Sequence, residues 1–219
     1  VRRVTHLDYC ALHHILLNIE SLCLHNSFSM LSKLENATGI KANQIPLDDK
    51  ETMEFIKACD TDGIPEFEHD DVQTVIKTMN PKKFDDLINL VGLRNGDGTW
   101  SDNGEVLFEE GIHLSDLIAF REDVMLTLMK YGVDRKKAFI VSEYIRKGKG
   151  LTEEQYDGLL DFGVPDWYLD SCNKINYLFP KAHCAEYVRI SFILAYYKTH
   201  FRMEFEKIAE EYKTEESEI

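Results

Sequence analysis

Apolar positions recur at three- and four-residue intervals along most of the chain after Ser27, the spacing that lines up one face of an α-helix. Each periodic stretch carries its own punctuation. Asp48 stands where it can cap a helix with Glu51 at the third position, Ser115 precedes an apolar run, and Thr152 with Gln155 forms a capping box. Gly39, Gly132, Gly148 and Gly163 each follow a periodic stretch, as helix-terminating glycines do. Pro65, Pro81, Pro165 and Pro180 fall between the stretches, where a missing N–H costs least. The pattern predicts a mainly α chain of roughly nine or ten short helices.

Three stretches depart from it. Asn95 to Gly104 is too rich in turn residues for regular structure and predicts the one long loop. Ile15 to Leu22 has strand-like character. From Glu204 onward the chain carries seven acids and two lysines, which predicts an acidic tail frayed after Tyr212. The longest apolar run, Ile190 to Tyr197, is broken by Ser191 and falls far short of the ~18 residues of a membrane span, so no membrane segment is expected.

Charge sharpens this picture. The 219 residues carry a net charge of -14, which argues against indiscriminate nucleic-acid binding, since Lys and Arg neutralising phosphates supply most of that affinity. The acid is unevenly spread, with 13 Asp/Glu against 4 Lys/Arg in residues 61–120 but 10 against 10 in 121–183. The five cysteines are odd in number and widely spaced, as in reduced thiols of a cytoplasmic protein, and Val1-Arg2-Arg3 lacks the features of a secretory signal. Cys10, His13, His14, Cys23 and His25 offer enough soft ligands for zinc, but their spacing matches no zinc motif and reads as incidental.

The neutral third holds the most specific motifs. Arg146-Lys147-Gly148-Lys149-Gly150-Leu151, Pro165-Asp166-Trp167-Tyr168-Leu169-Asp170-Ser171-Cys172 and Phe179-Pro180-Lys181-Ala182-His183 follow Gly63-Ile64-Pro65-Glu66-Phe67, Val91-Gly92-Leu93 with Gly96 to Trp100, Arg121-Glu122-Asp123-Val124-Met125, and Tyr131-Gly132-Val133. In this order they resemble the fingers of PolC-type bacterial replicative DNA polymerases, the family C DNA polymerase III alpha subunits, over about residues 6 to 201. The resemblance implies a multi-helical fingers domain at 61–203, a palm remnant with a short palm-derived strand and connecting helices at 1–60, and the acidic tail at 204–219.

The same resemblance sets the chemistry. In the family the strand matching Ile15 to Leu22 carries one of three catalytic aspartates that hold Mg²⁺; Glu20 stands at that place, and Cys23-Leu24-His25-Asn26 replaces the Gly-His-Asp-Asp that follows. Glu20 is therefore expected to be at most a vestigial metal ligand, and the chain to hold no Mg²⁺ and do no catalysis alone. Two-metal phosphoryl transfer needs paired carboxylates clamping both ions. Arg121, Arg146, Lys147, Lys149, Lys181 and His183 are the expected nucleotide-binding residues. Glycines at 148 and 150 beside fixed positive charge suit an anion, while a plain helix cap at Gly148 and a local Arg121 ion pair with Glu122 or Asp123 are the alternatives. Glu186 would bring negative charge towards a phosphate bound near His183. Trp100, Trp167 and Tyr168 read as core residues rather than base-stacking platforms.

The expected partners are dNTP and primer-template DNA, held weakly, together with remaining polymerase domains. The alternatives are an acidic interaction module that contacts a basic protein, or one half of a split polymerase.

Overall fold

A computed structural model of the chain describes residues 27–217, with side chains through Tyr212. The strand-like stretch at 15–22, Glu20 and the cysteine-histidine group at 10–25 lie outside the described residues. Among the described residues eleven α-helices follow one another: α1 Ser27–Thr38, α2 Lys50–Lys57, α3 Asp70–Met79, α4 Phe84–Asn95, α5 Glu105–Glu109, α6 Arg121–Lys130, α7 Arg135–Arg146, α8 Glu153–Leu160, α9 Asp166–Lys174, α10 Lys181–His200 and α11 Arg202–Ser217. Among the described residues there is no sheet; extended pairing is limited to isolated bridges, Asp97 with Tyr177 and Phe120 with Phe179. The chain is therefore mainly α, as its periodicity predicts.

Two apolar cores form. The first gathers α1 to α5 with α10 and α11, so residues 30–120 close against residues 184–208. At its centre α10 buries Val188, Ile190, Phe192, Ile193, Leu194, Ala195 and Tyr197, which is most of its circumference. A helix apolar all round must be enclosed by other elements, and α1, α2, α4 and α11 enclose it. Lys198 is buried there because its Nζ donates to the Asp60 and Asp62 carbonyls at 3.0 and 2.8 Å. The second core is local, built from residues 118–178 on α6 to α9. Trp167 packs against both.

Several boundaries differ from the expected ones. Asp49, not Asp48, caps α2: its carboxylate accepts from the Thr52 N–H at 2.8 Å and lies 3.0 Å from His200 Nε2 on α10. Ser115 starts no long helix. It sits in a single 3₁₀ turn, and the apolar run behind it, Leu117 to Phe120, is fully buried non-helical chain. A short run buried on all sides has no periodicity to tell these states apart. The chain from Asn95 to Gly104 is tied down rather than loose: Thr99 and Asn103 are buried, and a wide π turn, Trp100–Gly104, leads into α5. Beyond Phe205 and Ile208, both buried in the first core, α11 continues as helix to Ser217, past Tyr212 where fraying was expected. Its packing on α1 and α10 supplies what the acidic composition alone does not.

The Thr152–Gln155 capping box forms as read, and Gly39, Gly132, Gly148 and Gly163 end their helices with positive φ.

Candidate phosphate-binding surface

The first turn of α6 joins the groups of interest. Asp123 folds back over the start of its own helix, accepting from the Ala119 and Phe120 N–H groups at 3.1 and 2.9 Å, and its other oxygen meets Lys181 Nζ at 3.1 Å. Burial raises the pKa of Asp123, with Lys181 and the backbone donors offsetting part of that shift. Lys181 also lies 5.2 Å over the Phe120 ring, so the starts of α6 and α10 are clamped together by one ion pair and one cation–π contact.

Arg121, two residues earlier, faces α7. Its Nη1 donates to Glu143 at 3.0 Å and its Nη2 to Glu122 at 2.7 Å. Glu143 also receives Arg146 through Nε and Nη2, both at 3.0 Å, and Lys147 Nζ at 3.5 Å. Three cations thus converge on one half-buried carboxylate. Arg146 first, then Arg121, hold the Glu143 pKa down at about 2. One buried oxygen of Glu122 has no hydrogen-bond partner in this cluster.

The Lys/Gly loop is arranged differently from a bare anion cradle. The Gly148 and Lys149 N–H groups return to the Ile145 and Tyr144 carbonyls, each at 3.0 Å, and the Leu151 N–H donates to Asn173 Oδ1 at 2.7 Å. The first two bonds are the ordinary way of closing a helix C-terminus and the third ties the loop to α9, so the backbone donors expected to face an anion are largely consumed. Glycine is required at 148 on two counts: φ is +68°, and a Cβ would lie 2.4 Å from the Asn176 carbonyl oxygen. Lys149 stands apart from Glu143, 5.4 Å over the Tyr144 ring. His183 is half-buried between Phe179 and Tyr187, with ring centroids 5.6 and 4.2 Å away.

The sequence-predicted cations are therefore brought together in part. Arg121, Arg146 and Lys147 meet on Glu143, Lys181 joins them through the first turn of α6, and Lys149 and His183 are held by rings instead. Glu186 pairs with Arg189 at 3.3 Å. The sequence reading missed Glu143, although its spacing to Arg146 and Lys147, i+3 and i+4 on a helix, is a legible sign of pairing. It also missed Glu66, whose pKa is raised by burial and which is influenced by Asn95, His69, Arg94 and His183. Only the fold could reveal that convergence.

Two features lie elsewhere. A cleft of about 810 Å³ is lined by Leu47, by Met53 and Lys57 on α2 and by Phe84 on α4, and none of these cations lines it. Among the described residues no cluster of His, Cys, Asp and Glu is disposed to hold a metal, and no helix is long and apolar enough to cross a membrane.

Comparison with known proteins accounts for the fold. Residues 22–160 match the family described as the bacterial DNA polymerase III alpha subunit finger domain. Over 90% of the chain, it is 38% identical to the PolC-type DNA polymerase III of Caldanaerobacter subterraneus subsp. tengcongensis, 39% to that of Staphylococcus haemolyticus and 37% to that of Oceanobacillus iheyensis. The chain spans about 15% of the length of these relatives. By the length of the family match and the motifs it contains, the chain belongs to the finger-domain family of bacterial DNA polymerase III alpha subunits.

Proposed function

We propose that this chain acts as the fingers module of a PolC-type replicative DNA polymerase, lending phosphate contacts to an incoming dNTP and to primer-template DNA while other polymerase domains supply the chemistry. The observation that carries this is the convergence of Arg121, Arg146 and Lys147 on Glu143. A guanidinium has five N–H donors in a fixed fork, and Arg121 and Arg146 each spend two groups on carboxylates. The remaining donors are held in place and can be offered to phosphate oxygens at little cost in ordering. Lys147 and Lys149, both exposed at the end of α7, add two further positive charges.

DNA polymerases generally use Mg²⁺ to neutralise charge on the phosphates being transferred. The residue with a metal reading, Glu20, lies outside the described residues, and no step assigned to Arg121, Arg146, Lys147, Lys149, Lys181 or His183 passes through a metal.

Each charge-assisted hydrogen bond to an exposed phosphate contributes about 1–2 kcal/mol net. Three of them, less ligand ordering and repulsion from the acidic remainder, leave roughly a millimolar dissociation constant. The test is an NMR titration of the chain with dGTP at low and moderate salt. Salt-sensitive shifts confined to residues 121, 146–151 and 181–187, lost in Lys147→Ala/Lys149→Ala, are the expected result. No shifts at ~10 mM nucleotide, about tenfold above the expected constant, overturn the reading.

A further inference from the structure

Seven of the eleven large apolar side chains left exposed among the described residues fall between 126 and 162, around α6 to α8. Four of them form a connected face. On α7, residues 136, 139, 140, 143, 144 and 147 share one stripe by helical geometry, opposite the buried Ala138, Val141, Ser142 and Ile145. That stripe exposes Phe139, Ile140 and Tyr144 at 46%, 41% and 38%, and Lys137 links it to Phe162, itself 43% exposed, with its Nζ 5.6 Å over the ring. An apolar ridge of this extent on an otherwise charged helix is a mark of a contact surface.

Its electrostatics select the partner. Residues 130–149 hold seven Lys or Arg against two Asp or Glu, in a chain whose net charge is -14. The two acids are already used: Asp134 caps α7 through the Lys136 and Lys137 N–H groups, and Glu143 holds its three cations. Beside Phe162 the neighbouring α8 adds Glu153, Glu154, Asp157 and Asp161, so the combination of positive charge and exposed apolar side chains belongs to the outer face of α7 itself.

We propose that the outer face of α7, with Phe162 after α8, docks an acidic amphipathic helix from a partner protein. Its apolar side would lie along Phe139, Ile140 and Phe162, and its carboxylates would meet Arg135, Lys136 and Lys137 at the rim. Single-stranded nucleic acid fits the same charge less well. Ile140, which interrupts the row of exposed rings on the ridge, offers a base no stacking surface. The inference does not depend on nucleotide binding, since Lys136, Ile140 and Phe162 have no part in the phosphate surface.

Fluorescence anisotropy of a labelled synthetic helix tests this. The helix carries Leu and Phe at i, i+3, i+4 and i+7 with Glu elsewhere, and is titrated with the whole chain. Saturable binding is expected, weakened about tenfold or more by Ile140→Lys and separately by Lys136→Glu/Lys137→Glu, with circular dichroism unchanged because these side chains are exposed. Binding no tighter than that of a sequence-scrambled peptide, or equal affinity for polyglutamate, overturns the proposal. So does displacement of the helix by oligo(dT) with the same sensitivity to both variants, which would make this a nucleic-acid surface.

Discussion

The two apolar cores are of one fold but were made by different means. The second, residues 118–178, is closed by neighbours in sequence: α6 packs on α7, and α8 and α9 follow within short loops. The first is closed from a distance, by α10 and α11 returning to cover α1 to α5. Loop closure over a longer separation costs more entropy before any contact is made, so the first core needs the all-round apolar surface of α10, whereas the second manages with amphipathic helices. Charge follows the same division. The segment that includes the second core is electrically balanced and carries the phosphate-binding candidates, while residues 61–120, which pack into the first, are strongly acidic.

The largest effect should come from the first core. Phe192 is fully buried on α10 and meets Phe84 edge-to-face at 5.6 Å, so Phe192→Ala should cost about 3–5 kcal/mol. Because Trp167 packs on both cores, calorimetry should show one transition shifted as a whole. Two resolved transitions, only one of them moved, would mean the cores fold independently.

In the second region Gly148→Ala should cost about 2–3 kcal/mol, from a left-handed φ and a Cβ driven against the Asn176 carbonyl. Urea denaturation checks it, and a neutral result would show that the loop shifts freely. Lys198→Met in the first core removes the donor to the Asp60 and Asp62 carbonyls and should cost about 1–3 kcal/mol. Loss of protection at Gly63 and Ile64 in hydrogen exchange would locate the damage.

The smallest effect is pH-dependent. The Glu143 pKa is lowered in the fold from 4.5 to about 2, so its contribution is present above pH ~4.5 and fades as the pH falls towards 2. Glu143→Gln should therefore lower stability by up to about 1 kcal/mol at neutral pH and by almost nothing near pH 2. Asp123 has the opposite sign: its pKa is raised, so acidification relieves a cost rather than removing a gain. Thermal unfolding of both proteins from pH 7 to 2 checks the first point, and a pH-independent difference would show that Glu143 acts only by packing.

Legibility divides along the same line. The capping box at Thr152 and Gln155, the glycine stops at 39, 132, 148 and 163, and the membership of the family were all present in local spacing and motif order. Where a competing group stood next door, reading failed: Asp49 rather than Asp48 caps α2, and it is also the carboxylate that His200, more than a hundred residues away, meets. The buried run Leu117 to Phe120 and the ordered turn at 100–104 went unread for a related reason, since their neighbours come from elsewhere in the chain.

The candidate site shows the same boundary. The sequence by itself determined which residues were cationic, that they lay in one neutral stretch, and that a helix would end at Gly148. Only the tertiary structure decided that Arg121 crosses from α6 to share Glu143 with Arg146 and Lys147, that Lys181 is drawn to Asp123, and that the loop amides turn inward. Composition and helical periodicity are properties of near neighbours. Which carboxylate a cation finds depends on how helices pack, and that is settled by the burial of apolar faces far from the charges themselves.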